Sequence, residues 1–107
     1  MMPRVSVVIP TYNQEAYISQ ALDSVLAQTY QDFEMIIVND ASTDQTLEKI
    51  LDKKDSRIRL FSLEQNQGES AATNYGIEQS QGEFIAILHS DDVFVSHKLE
   101  KQVRFLD

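Results

Sequence analysis

Two adjacent carboxylates, Asp91 and Asp92, follow a short apolar run, Phe84-Ile85-Ala86-Ile87-Leu88, with only His89 and Ser90 between. Carboxylate oxygens are the ligands that hard divalent cations such as Mg²⁺ and Mn²⁺ prefer, and they also accept from sugar hydroxyls. The apolar run reads as a strand buried on both faces, as in a parallel sheet. Acidic residues just past such a strand fall in the crevice beyond the strand ends, where open α/β sheets bind ligands. Within this stretch alone, two solvated aspartates in a loop fit equally well.

Two further strand ends carry groups of the same use. The first strand closes in Pro10-Thr11-Tyr12-Asn13 and the second in Asn39-Asp40. In a parallel sheet all three ends lie on one edge. A tyrosine π face, a carboxylate able to accept from a base N–H, and a pair of possible metal ligands would then converge. That set suits a nucleoside diphosphate held by base stacking, ribose contacts and a Mg²⁺ or Mn²⁺ ion on the phosphates. The glycine-rich alternatives are excluded by residue type. The turn after the first strand, Pro10-Thr11-Tyr12-Asn13-Gln14-Glu15, has no glycine where a dinucleotide fingerprint requires three, and no P-loop is present.

Charge points the same way. Seventeen acidic residues against nine basic ones give a net charge of −8, which repels nucleic-acid backbones. An anionic ligand beside Asp91 and Asp92 needs an intervening cation.

The elements that must position these groups alternate between the two periodicities. Val5–Ile9 reads as a strand ended by Pro10, and Asn13 as the N-cap of a helix burying Ile18, Ala21, Leu22, Val25 and Leu26. Phe33–Val38 is the second strand. Ser42 and Gln45 fit a capping box for a helix burying Leu47, Ile50 and Leu51. Ile58–Leu63 has the mixed pattern of an edge strand. After the loop Glu64–Gly68, a helix presents Ala71, Ala72, Tyr75 and Gly76, small residues that let it lie close to a sheet. The fourth strand is Phe84–Leu88, and Ser96 is placed to cap a last helix burying Leu99, Val103 and Leu106. Strand–helix alternation with apolar strands predicts a mainly parallel sheet of about four strands, flanked by helices in three α/β/α layers. The 107 residues make one domain, residues 1–107. There are no cysteines, so neither disulfides nor thiolate metal sites arise. No apolar run is long enough to span a bilayer and no signal-peptide pattern opens the chain, which is compatible with the cytoplasm.

Four motifs occur in order: Val5-Ser6-Val7-Val8-Ile9-Pro10-Thr11-Tyr12-Asn13, Ile37-Val38-Asn39-Asp40-Ala41-Ser42-Thr43-Asp44, Asn66-Gln67-Gly68 and Ser90-Asp91-Asp92. Together they resemble the N-terminal, nucleotide-sugar-binding half of family 2 glycosyltransferases of the GT-A fold, across essentially the whole chain. The resemblance implies a Rossmann-like nucleotide-binding half and a nucleotide-diphosphate sugar as donor, usually a UDP-sugar. It implies that Tyr12 stacks on the base, with Pro10 and Thr11 lining the pocket, and that Asp40 accepts from the base N–H. It further implies that Asp91 meets the ribose and that Asp92 binds the Mn²⁺ or Mg²⁺ bridging the diphosphate. The Asn66-Gln67-Gly68 loop would wall the ribose and diphosphate.

Three positions depart from the family's pattern. Asn39 stands where Asp is common, Thr73-Asn74 where an arginine is frequent, and His89 where Asp often precedes Ser-Asp-Asp. A histidine at a strand end is more often structural than ligating, and His97 reads as a surface residue. Complete family members are longer, and their second half supplies the carboxylate base and the acceptor surface. No catalytic residue is therefore assigned here, and the chain alone is expected to be inactive. In a full-length parent the acceptor would be a glycan or lipid-linked sugar in polysaccharide synthesis, with possible membrane association. The competing reading is a noncatalytic α/β module that binds a nucleotide or a protein. A bare sheet edge would also allow a homodimer.

Overall fold

The computed structural model describes residues 2–90 and 98–106. Eight elements alternate as expected. They are β1 (Val5–Thr11), α1 (Ile18–Leu26), β2 (Phe33–Asn39), α2 (Thr46–Leu51), β3 (Ile58–Ser62), α3 (Glu69–Gln79), β4 (Phe84–Ile87) and α4 (Lys98–Leu106). The sheet runs β3-β2-β1-β4 and all three strand pairs are parallel. Chain order thus moves outward from β1 to β3, then jumps back across the sheet to β4. The strand order reverses at β1, which makes the carboxyl end of β1 the switch point of the sheet.

Alternation along the strands builds two cores. Val5, Val7 and Ile9 of β1 and Phe33, Met35 and Ile37 of β2 face α1 and α4, where Ile18, Leu22, Val25, Leu99 and Val103 are buried with them. Val8, Ile36 and Val38 face the other way, against Ala72 and Tyr75 of α3. The result is the three-layer arrangement read from the sequence. The helix α3 sits close because it has almost no side chain at the contact. A Cβ on Gly76 would come within 2.5 Å of Val8 Cγ1.

Pro10 does not end β1. The strand continues through it to Thr11, paired with Val38 and Asn39. Odd-numbered residues of β1 direct their backbone toward β2, as Val5 N–H does to the Asp32 carbonyl. Pro10 therefore points its missing donor toward β4, beyond the last paired residue Ile87, and costs the β1–β2 ladder nothing.

Three local expectations are corrected. First, β4 stands last in the described sheet and, among the described residues, is not buried on both faces. Phe84 and Ala86 turn toward the core, while Ile85 and Ile87 are 45% and 43% exposed because α3 covers β1 and β2 instead. The edge assignment of β3 is met. Second, Asn13 does not cap α1, and Ser42 with Gln45 forms no capping box. α1 follows Tyr17 and α2 follows Gln45, neither with a side-chain cap bond. Third, Leu51 is exposed, and α2 buries Thr46 and Ile50. The Ser96 cap and His97 lie outside the described residues. The described end of α4 is held by Gln28, buried after α1, whose Oε1 accepts from Leu99 N–H at 3.0 Å.

One buried charge stabilises the edge of the sheet opposite the strand carboxyl ends. Glu34 points from β2 toward the α3 side and accepts from Ser6 Oγ, Gln81 N–H and Arg59 Nη1. Burial would raise its pKa, but those three donors outweigh it and hold the carboxyl below its ordinary range. Ser6 Oγ in turn accepts from Gly82 N–H, so the start of β4 is fastened to β1. A Cβ at Gly82 would fall 2.6 Å from Ser6 N and 2.8 Å from Val5 C, both backbone atoms.

Gly82→Ala is expected to cost roughly 1–3 kcal/mol, the range for overpacking, in urea unfolding; a value within experimental error of zero would contradict the contact. A carboxylate whose pKa is depressed on folding stabilises above its unfolded value and loses that effect as pH falls through the folded one. Wild-type stability should therefore drop on acidification below about pH 4.5. Glu34→Gln should be less stable at neutral pH and decline less steeply in acid. Parallel pH profiles for the two proteins would show that Glu34 contributes none of the acid sensitivity.

Candidate functional site

At the carboxyl edge of the sheet lies an open cleft of about 860 Å³. Its lining comes from four separate places in the chain: Pro10 and Thr11 at the end of β1 with Tyr12 and Gln14 just after it, Asp40 after β2, Asn66 and Gly68 before α3, and His89 and Ser90 after β4. Glu69 and Ala72 of α3 complete one wall. All six described residues that the sequence assigned to a nucleotide line this single cavity. Asp91 and Asp92 lie outside the described residues; Ser90, which precedes them in sequence, is buried and lines the cleft.

Asp40 is the structural centre of the wall. Its main-chain N–H donates to the Thr11 carbonyl at 2.9 Å, extending the β1–β2 ladder by one rung. Its carboxylate is nearly fully buried and accepts one bond at each oxygen, from Gln67 N–H at 2.8 Å and from Gly68 N–H at 2.9 Å. Asn66 Nδ2 reaches the Asp40 carbonyl at 3.4 Å. Gly68, with φ at +95°, then enters α3 in a conformation that L side chains rarely adopt. Asp40 thus caps the approach to α3, a partner 27 residues away, and not the helix that follows it in sequence. Each carboxylate oxygen has a further lone pair for a ligand donor.

The opposite lip is braced by two loops that bond to each other. Asn13 Oδ1 accepts from Thr43 N–H at 2.8 Å, and Asn13 N–H donates to Ser42 Oγ at 3.0 Å. Gln14 N–H donates to Thr46 Oγ1, Glu15 N–H to Asp44 Oδ2, and Gln45 N–H to Glu15 Oε2. Burial raises the pKa of Asp44, but bonds from Thr46 and Glu15 outweigh it and hold the carboxyl below its ordinary value. Asn13 and Ala41 both sit in the left-handed region, at φ of 50° and 62°. Asparagine tolerates this well and alanine does not, so the turn after Asp40 is strained. Tyr12 stands on this braced lip, 44% exposed as a residue.

Electrostatically the described cleft has no lysine or arginine in its lining. Its charged or chargeable groups are Asp40, Glu69 and His89, and His89 Nδ1 donates to Glu69 Oε1 at 2.5 Å. His89, read from the sequence as structural, is an exposed wall residue. Gln14 and Glu69 were not anticipated: no spacing signal marks them, because their place depends on how the loops after β1 and β3 meet. Thr11 Oγ1 is buried and has no hydrogen-bond partner among the described residues.

The family model for glycosyl transferase family 2 matches residues 6–107. The chain belongs to glycosyltransferase family 2. The Escherichia coli enzyme named UDP-Glc:alpha-D-GlcNAc-diphosphoundecaprenol beta-1,3-glucosyltransferase WfgD is 41% identical over 102 residues, covering 95% of this chain and 40% of its own length. Staphylococcus aureus TarS 1-349, solved in complex with UDP, superposes with a TM-score of 0.92 at 34% identity, over 97% of this chain and 32% of that one. The mannosyltransferase PcManGT of Pyrobaculum calidifontis, solved with GDP-Man and Mn²⁺, gives a TM-score of 0.88 at 28% identity, over 99% and 33%. This family 2 chain therefore has the GT-A nucleotide-binding architecture and spans well under half the length of these relatives.

Asp40→Ala is expected to cost roughly 2–3 kcal/mol, because it removes the charged acceptor of two part-buried N–H groups. Hydrogen exchange at Gln67 and Gly68 should accelerate more than at the β1–β2 ladder. Unchanged exchange at those two amides would contradict the capping role.

Proposed function

We propose that this chain is the donor-binding half of a glycosyltransferase that takes a nucleotide-diphosphate sugar, a UDP-sugar by preference. The observation that carries the reading is the convergence in one cleft of Tyr12, Asp40 and the Asn66–Gly68 loop, from three separate strand ends. Tyr12, an exposed residue on a rigid lip, offers its ring for base stacking. Asp40 offers spare lone pairs to a base N–H while its loop bonds fix its position. Asn66 and Gly68 stand where a ribose and diphosphate would pass, and Pro10 and Thr11 close the pocket behind the base. The UDP complex of TarS, alike in fold, supports the choice of nucleotide.

A divalent cation fits this chemistry. A diphosphate entering a cleft lined by Asp40 and Glu69, without lysine or arginine among its described lining residues, meets like charge. Asp92 would hold Mn²⁺ or Mg²⁺ as a single hard oxygen ligand, the phosphates and waters filling the other positions as Mg²⁺ in particular prefers. Asp91 would bind the ribose. The ion would neutralise the diphosphate as it departs; the Mn²⁺ complex of PcManGT supports this. No described helix is long and apolar enough to cross a membrane. Work on a cytoplasmic donor, with a glycan or lipid-linked acceptor, is the setting we assign. The base that deprotonates the acceptor hydroxyl belongs, in this reading, to a second half of a longer protein, so these 107 residues should transfer little or no sugar alone.

Calorimetry with UDP is expected to show weak binding that requires Mn²⁺ and is abolished in Asp92→Ala. Tyr12→Ala should weaken it roughly tenfold, from a stacking contribution of about 1–3 kcal/mol per base. Equal binding without metal, or no binding at all, would remove the donor-site reading and favour a noncatalytic module.

A further inference from the structure

One histidine in the cleft wall is bonded in a way that leaves a ring nitrogen open. His89, just past β4, donates from Nδ1 to Oε1 of Glu69, in the first turn of α3, at 2.5 Å. An ionised carboxylate only accepts, so the proton belongs to Nδ1 and the lone pair of the neutral imidazole lies on Nε2. No described residue bonds Nε2. Both side chains line the cleft and both are more than half exposed, so a ligand can reach the ring.

We propose that His89 Nε2 is a ligand of the divalent cation, with Glu69 as its positioning residue. The inference rests on the donor-site reading and adds to it a nitrogen ligand and a choice among cations. A carboxylate that takes one ring N–H while the other nitrogen faces open space is how proteins orient a metal-ligating histidine and raise its basicity. That bond also accounts for Glu69 in a cleft that would hold a diphosphate, because its charge acts on the ring. His89 precedes Asp92 by three residues, which extended chain spans in about 11 Å at most. Chain length alone thus lets one cation be shared by the two side chains. Mg²⁺ is served by carboxylates and waters, whereas imidazole nitrogen suits transition metals. His89 therefore tilts the cleft from Mg²⁺ toward Mn²⁺, and further toward Co²⁺.

Pulsed electron paramagnetic resonance of the 107-residue chain with UDP and Mn²⁺ reads the ligand directly. The wild type should show the strong nitrogen coupling of one bound imidazole. The chain has two histidines, so His97→Gln should keep that coupling and His89→Gln should lose it. In calorimetry His89→Gln should still bind UDP with Mn²⁺, roughly tenfold more weakly, whereas Asp92→Ala abolishes binding. Glu69→Ala should weaken Mn²⁺ by roughly tenfold or more, and Glu69→Gln, which keeps an acceptor oxygen, should restore most of that loss. His89→Asp should narrow the advantage of Mn²⁺ and Co²⁺ over Mg²⁺ in supporting UDP binding. Mn²⁺-dependent UDP binding without imidazole coupling, or coupling that survives His89→Gln, would overturn the proposal and leave the donor site standing. A wild-type chain with no Mn²⁺-dependent binding would overturn both.

Discussion

The cleft depends on one buried carboxylate. Asp40 stands at the end of a fully buried strand, where an uncompensated charge would be costly, and two amides of the loop before α3 satisfy it. Those bonds do more than offset burial. They fix where the loop crosses the sheet edge, and with it the start of α3. They also tie the end of β2 to the wall opposite Tyr12. The facing lip is set by the same logic with neutral groups, as Asn13 satisfies the amides of Thr43 and Asp44. A ligand would meet a shape already in place, and little ordering entropy would oppose its binding.

A second constraint works at the far edge of the sheet. Arg59, Ser6 and the amides of Gln81 and Gly82 form a polar cluster around the buried Glu34 carboxylate that fastens β4 beside β1. Without it, β4 would rest on few apolar contacts, since half its side chains face outward. Through β4 this cluster carries Ser90 to the cleft. The two ends of the sheet are therefore linked. A polar cluster at one edge positions the strand that leads into the cleft at the other.

The central strands were legible in the sequence because both their faces are covered, so the residues of β1 and β2, Thr11 apart, are apolar or hydrogen-bonded. The helical face of α1 was legible for a similar reason. β4 was misread because a run of isoleucines looks the same whether or not a helix covers it. The caps were misread because Asn13 bonds to Ser42, Thr43 and Asp44, about thirty residues away, and Ser42 is taken up in that bracing. Local spacing reports only local partners. Residues of the site were recoverable where residue type and strand-end position coincide, as at Tyr12 and Asp40. Gln14, Glu69 and His89 reach the cleft through loop geometry that no periodicity encodes.

The central claim is that the carboxyl-edge cleft receives the nucleotide of a donor. Amide-resolved NMR of the chain titrated with UDP and Mg²⁺ tests it most directly. The predicted result is a set of shifts at Tyr12, Asp40, Gln67 and Gly68, with Glu34 and Gly82 at the opposite edge unmoved. Shifts confined to the β4 edge and α4, or none at saturating nucleotide, would contradict it.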